Sequence, residues 1–226
     1  MIMTPDQLTG KVTTHLCSQL IGRKHFLIHQ NVTDDLTKLI HAANRDGFDF
    51  HIASGFRSFE QQLTIWNGKY SGQRTVLDSN SHPVDIFTLN AEDKIHAIMK
   101  WSALPGTSRH HWGTDFDVYD RAGLPDGVTM KLEPWEYLQS HQKPFYQWLV
   151  KHAVTYGFYF PYEQDLGGVA IEPWHLSYRP VASDCLKSLS VELITQQLRD
   201  EPLLGKKFIL PRLKSLYTQY ISNLSL

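Results

Sequence analysis

The 226-residue sequence predicts an α+β fold: a small antiparallel sheet with flanking helices, in a single domain. Three observations predict it. Helical and alternating apolar patterns follow one another in mixed order, without the regular βαβ alternation of a parallel sheet. The length suits one sizeable domain, or at most two small ones. A composition of 42% hydrophobic and 20% charged residues is ordinary for a globular protein.

Taken in order, Val32, Leu36, Leu39, Ile40 and Ala43 recur at helical spacing, with Thr33 or Asp34 as cap and Gly47 closing the segment. FDFHIAS (48–54) alternates apolar and polar residues as a half-buried strand does. Ser58-Phe-Glu-Gln61 matches a capping box, so a second helix is expected through about Trp66. The stretch NGKYSGQRTVLDSNSHPVD is rich in turn residues and reads as a long loop. A third helix is expected over 91–102, stopped by Pro105-Gly106. TDFDVYD (114–120) alternates again, with Phe116 and Val118 on one face and Asp115, Asp117 and Tyr119 on the other. A helix around 143–156 follows, ending at Gly157, with Phe145, Trp148, Leu149 and Val154 as core candidates. GVAIEPWHLSY (168–178) reads as a strand distorted near Pro173, and helical segments close the chain after residue 180. No internal repeat or low-complexity segment interrupts this order.

The formal net charge of −1, with no run of Lys and Arg, argues against nucleic acid or anionic lipid as partner. No stretch approaches the eighteen apolar residues of a membrane span. The start, MIMTPDQLTGKV, lacks the charged and apolar regions of a signal peptide. The expected location is therefore cytoplasmic as encoded, or periplasmic or extracellular if the chain leaves by another route. Cys17 and Cys185 lie far apart in no C-x-x-C pattern, which argues against a thiolate zinc site or a disulfide framework. Twelve histidines are an excess, and a hint of metal or acid–base chemistry.

Ligand chemistry narrows that hint. A catalytic zinc site uses three imidazole or carboxylate ligands and leaves one position open. Within SRHHWGTDFD (108–117), His110 or His111 could pair with Asp115 or Asp117. The third ligand must come from elsewhere, and His175 in IEPWHLSY is the best candidate, with Glu172 three residues before it. Spacing alone leaves the choice between the two histidines, and between the two acids, open.

The chain resembles the zinc D-alanyl-D-alanine carboxypeptidases of the VanY type, which are related to D,D-dipeptidases and to some peptidoglycan-cleaving endolysins. The resemblance rests on three motifs in the family's order. Ser108, His110, Gly113 and Asp117 match S-x-H-x-x-G-x-A-x-D, with Asp115 in place of the usual Ala. Glu172, Trp174 and His175 match E-x-W-H. Phe56, Arg57, Ser58 and Gln62 match a tyrosine-arginine-serine segment with its following glutamine. YGF at 156–158 matches the stretch before the last motif, and the likeness covers roughly residues 30–180. It implies a single metallopeptidase domain over 1–226 with its metal site on the sheet, and residues 181–226 as a C-terminal helical extension.

The resemblance further implies that His110, Asp117 and His175 hold one zinc ion, with water in the fourth position and His111 a bystander. Glu172 would be the general base. Arg57 would anchor substrate and stabilise the oxyanion, with Gln62 and Ser108 contacting the peptide. Ser58 reads better as a helix cap, and Trp112 and Trp174 as packing that steadies the ligands. Three departures stand out: Asp115, Phe56 for tyrosine, and Ser177 where a basic residue is usual. The segment 68–90 could be a lid or an insertion. The implied activity is removal of the terminal D-alanine from a peptidoglycan-derived peptide. The rivals are cleavage within the stem peptide and a zinc-containing binding module without catalysis.

Overall fold

The computed structural model describes residues 3–225. A short helix, α1 (Pro5–Leu8), is closed by a Thr4/Gln7 capping box. An antiparallel hairpin follows, β1 (Leu16–Ile21) and β2 (Lys24–His29), turning through Gly22 in a left-handed conformation at φ 61°. Neither element was expected from the sequence.

Helix α2 (Thr33–Arg45) forms where expected, but Thr33 and Asp34 do not cap it. The chain enters through a 3-10 turn, Gln30–Val32, whose Asn31 amide donates to His29 Nδ1. Thr33 and Asp34 therefore already lie in the first turn, where Asp34 and Asp35 favour the helix dipole. Strand β3 (Phe50–Ser54) and helix α3 (Phe59–Tyr70) come next. The Ser58/Gln61 capping box forms in both directions, and α3 runs one turn beyond Trp66. The expected long loop holds a small ribbon, β4 (Val76–Leu77) with β5 (Pro83–Val84). Helix α4 (Ala91–Met99) ends earlier than expected.

After β6 (Asp115–Asp120) come α5 (Pro134–Leu138) and α6 (Lys143–His152). The last turn before Gly157 is a 3-10 turn, Ala153–Tyr156. That tighter winding breaks the helical phase, so Val154 is 70% exposed rather than in the core. Trp148 is half-buried and rests on Phe48. Strand β7 (Phe158–Tyr159) precedes β8 (His175–Tyr178), the only part of 168–178 that is extended. Helices α7 (Arg179–Ser188), α8 (Val191–Leu198), α9 (Lys206–Ile209) and α10 (Leu213–Leu216) follow, and a π-turn at Tyr217–Ile221.

The main sheet runs β3-β6-β8-β7 and is antiparallel throughout. Its two faces differ because side chains alternate along a strand. Phe116, Val118, Leu176 and Tyr178 point to one side and join α2 and α6 in an apolar cluster. Burying each such side chain contributes about 1.5–3 kcal/mol, which fixes the register of both inner strands. Asp115, Asp117, His175 and Ser177 consequently share the opposite face. A second apolar cluster lies between α3, α4 and the C-terminal helices, and includes Trp66, Trp112 and Ala182. The α+β class and the antiparallel sheet expected from sequence are those observed.

Candidate active site

The polar face of the sheet meets a turn that precedes β6. Residues Arg109–Trp112 form a 3-10 turn that Gly113 ends in the left-handed region, at φ 67°. Only glycine fits there: a Cβ would lie 2.4 Å from Leu16 Cδ2 and 2.9 Å from the His29 amide nitrogen. This reversal returns His110 over Asp117. Asp117 in turn faces His175 directly across the sheet, as Cα partners in the β6–β8 register.

One donor atom from each of His110, Asp117 and His175 lies within 4.8 Å of the others, and all three residues are buried. His110 Nε2 is 3.5 Å from Asp117 Oδ2, and His175 Nδ1 is 3.3 Å from Asp117 Oδ1. Three ligands on one tetrahedral ion at zinc-like bond lengths would be separated by about 3.3 Å, so the spacing fits. Asp117 Oδ1 is buried and accepts no hydrogen bond, an orphaned acceptor aimed at the gap between the rings. His110 Nδ1 lies 2.9 Å from the Gly55 carbonyl, which can only accept. Nδ1 therefore carries the proton and Nε2 keeps its lone pair. The donor set and these tautomers suit a divalent metal ion.

Glu172 follows the loop 160–171 and sits beside the triad, with Oε2 3.2 Å from His175 Nδ1. Burial raises its carboxyl above the ordinary value, and the neighbouring His175 opposes that only in part. Burial alone would lower His175, yet contacts with Asp115, Asp117 and Glu172 raise it well above the usual range. Burial holds His110 down at about 4, despite Asp117 beside it.

Arg57 reaches the same cavity from the bulged end of β3. Its Nη1 donates to Gln62 Oε1 at 2.8 Å and its Nη2 to Ser54 Oγ at 3.2 Å. Gln62 is fully buried and also donates to the Ala103 carbonyl, so it does not line the cavity. Both ends of that side chain are occupied, one by Arg57 and the other by the Ala103 carbonyl, in place of the peptide contact expected from the sequence. Ser108 does line the cavity. Ser58 caps α3 as expected.

His111 points away from the triad. It is completely buried, its Nδ1 donating to the Arg57 carbonyl and its Nε2 accepting from the Gly106 amide. Burial pushes its pKa down to about 3, so it stays neutral. Trp112 and Trp174 are buried packing residues that also form cavity wall, Trp174 stacking on Trp101.

The sequence pattern did not single out several neighbours. Arg109 is 4% exposed and bonded to Asp115. Tyr162 packs edge-on against the His175 ring. Leu77 from the 68–90 segment, and Tyr220 and Ile221 from the C-terminal π-turn, line the cavity. Arg109 had a legible signal, a buried-motif cation six residues before the unexpected acid; the distant wall residues had none. The cavity lined by these groups is about 250 Å³ and opens to the surface.

Two imidazoles and a carboxylate with a half-buried glutamate beside them, in a cavity, fit the class of a metal-dependent peptidase. The sequence profile described as "VanY: D-alanyl-D-alanine carboxypeptidase" matches residues 25–181. The chain belongs to the VanY D-alanyl-D-alanine carboxypeptidase family. An uncharacterised protein of Haemophilus influenzae is 33% identical over 121 residues, covering 52% of this chain and 92% of that protein. A D-alanyl-D-alanine carboxypeptidase of Enterococcus faecalis is 30% identical over 146 residues, covering 63% of this chain but 45% of that longer protein. Among solved structures, VanYB in complex with D-alanine-D-alanine aligns with TM-score 0.51 and 23% identity, over 86% of this chain and 87% of that one. A mutant of the vancomycin resistance D,D-pentapeptidase VanY in complex with Zn(II) aligns with TM-score 0.51 and 22% identity, over 88% and 92%. Among the described residues, no helix is long and apolar enough to cross a membrane.

Proposed function

We propose that the protein is a zinc carboxypeptidase that removes the terminal D-alanine from peptidoglycan-derived peptides ending in D-alanyl-D-alanine. The observation that carries this reading is the half-buried Glu172 beside the His110–Asp117–His175 triad, in a cavity that Tyr220 and Ile221 also line. We read residues 1–226 as one metallopeptidase domain, because α3 and α4 share an apolar cluster with the helices after residue 181.

His110 Nε2, a carboxylate oxygen of Asp117 and His175 Nδ1 would hold the ion. Zinc there supplies Lewis acidity, bringing water ionisation toward neutral pH and polarising the scissile carbonyl. Glu172 takes the proton from the attacking water as the new C–O bond forms, then delivers it to the amine of the departing D-alanine as the C–N bond breaks. Burial raises its carboxyl above the ordinary value, which makes it a better proton acceptor than an exposed glutamate. Arg57, clamped by Gln62 and Ser54, presents its guanidinium to the oxyanion or to the substrate carboxylate. The Ser108 hydroxyl contributes a polar contact to the peptide.

The test is release of D-alanine from a peptide ending in D-alanyl-D-alanine by the zinc-loaded protein. Glu172→Gln should lower kcat by about 10²–10⁴-fold while retaining one zinc per chain. No released D-alanine from the loaded wild type would overturn the reading. Internal cleavage of muropeptides, read by mass spectrometry, would replace it with an endopeptidase.

A further inference from the structure

We propose that Asp115 is a positioning residue for the metal centre: clamped by Arg109, it fixes the orientation and tautomer of His175 so that Nδ1 faces His110 and Asp117. The inference rests on the metallopeptidase reading above.

Asp115 lies two residues before Asp117 on β6, and its Cα partner across the sheet is Ser177. It is completely buried. Oδ1 accepts from Arg109 Nε at 2.7 Å and lies 3.0 Å from His175 Nε2, while Oδ2 accepts from the Thr114 hydroxyl at 2.6 Å. An ionised carboxylate has no proton to give, so the proton in the Asp115–His175 contact belongs to Nε2. A histidine that ligates a metal gives up its second proton and is neutral, so it carries only one. Its lone pair is then on Nδ1, the atom facing Asp117 at 3.3 Å and Glu172 at 3.2 Å. A carboxylate behind a ligating histidine sets ring orientation and raises ligand basicity.

The clamp is itself held. Arg109 Nη2 donates to the Tyr159 hydroxyl at 3.0 Å and to Ser177 Oγ, and the guanidinium lies 4.9 Å from the Trp112 ring centroid. Its positive charge offsets that of Asp115, so the second carboxylate adds little net charge to the metal site. Removing Asp115 alone would strand a buried cation, so a charge-balanced variant is needed beside the simple one.

Two variants, Asp115→Asn and the double Arg109→Met/Asp115→Leu, would be compared with wild type for zinc affinity by chelator competition. Their cobalt-substituted absorption spectra would be recorded alongside. The expected result is affinity weakened about 10–100-fold in both, with shifted cobalt bands. Affinity within twofold of wild type and unchanged bands in both variants would overturn the proposal. A variant that folds poorly does not remove the test, because the wild type carries a second readout. In zinc-loaded protein with ¹⁵N-labelled histidine, long-range NMR correlations should show His175 protonated at Nε2 and not at Nδ1. The reverse pattern would overturn the proposal while leaving the carboxypeptidase reading intact. A wild type that binds no zinc would overturn that reading first, and this inference with it.

Discussion

At the scale of single residues, the useful contrast is between His110 and His111, adjacent in sequence and opposite in role. Spacing could not choose between them, because both lie within reach of the same acids. Hydrogen bonding separates them: His111 uses both ring nitrogens on backbone groups, whereas His110 uses one and leaves the other toward Asp117. Gln62 is a second case in which chemistry was legible but position was not. Its amide is polar and its motif resembles the family's, yet it is fully buried and accepts from Arg57 Nη1. Gln62→Leu should therefore lower kcat/KM for the D-alanyl-D-alanine peptide by about 10–100-fold, because small misplacements of an anchoring group carry costs of that order. Zinc content should be unchanged. A variant with wild-type kcat/KM would show that Arg57 needs no such support. The departures at Asp115 and Ser177 looked unrelated in the sequence. They are cross-strand partners that share Arg109, which only the register reveals.

At the scale of elements, legibility follows how local the determining forces are. Helix α2 carries several turns of one-sided apolar pattern, and α3 is announced by a self-contained capping box. Both were readable for that reason. Ser58→Ala should destabilise the fold by about 1 kcal/mol in urea unfolding, with Arg57-dependent activity preserved. A loss of activity larger than the loss of stability would mean that Ser58 touches substrate. The β1–β2 hairpin was not readable, since LCSQLI and KHFLIH mix apolar residues on both faces and only β2's end is buried. Its position nonetheless matters to the site, because β2 closes over Gly113 through the His29 amide and Gly113 carbonyl at 2.9 Å. Gly113→Ala combines a left-handed φ with a backbone clash, so it should destabilise by at least about 1–3 kcal/mol. Zinc binding should fall with it, because the same turn sets His110 above Asp117. A soluble Gly113→Ala protein with wild-type zinc affinity would refute that coupling.

At the scale of the whole molecule, the site is held by parts that the family match does not span. Gln219 and Asn223 donate to the Gly167 and Leu166 carbonyls, and the Ser225 amide donates to Pro161, fastening the loop before Glu172. On the far side of the turn, the hairpin buries His15, 8% exposed, with neither ring nitrogen hydrogen-bonded. Its neighbour His29 lies 5.7 Å away between ring centroids. Burial, then the charge of His29, pushes His15 down from 6.5 to about 4. Folding thus requires a neutral imidazole where the unfolded chain accepts a proton at a higher pH. Between pH 6.5 and about 4 the unfolded state binds more protons, so stability contributed by neutral His15 is present above that window and lost as pH falls through it. From pH 7 to pH 5 the loss assignable to His15 is on the order of 2 kcal/mol. Urea unfolding of zinc-loaded wild type and His15→Leu at those two pH values isolates this effect, since the metal ligands titrate alike in both. The acid-induced drop should be smaller in the variant by about that amount. An equal drop in the two proteins would place the acid sensitivity elsewhere and show that the folded hairpin accommodates a charged His15.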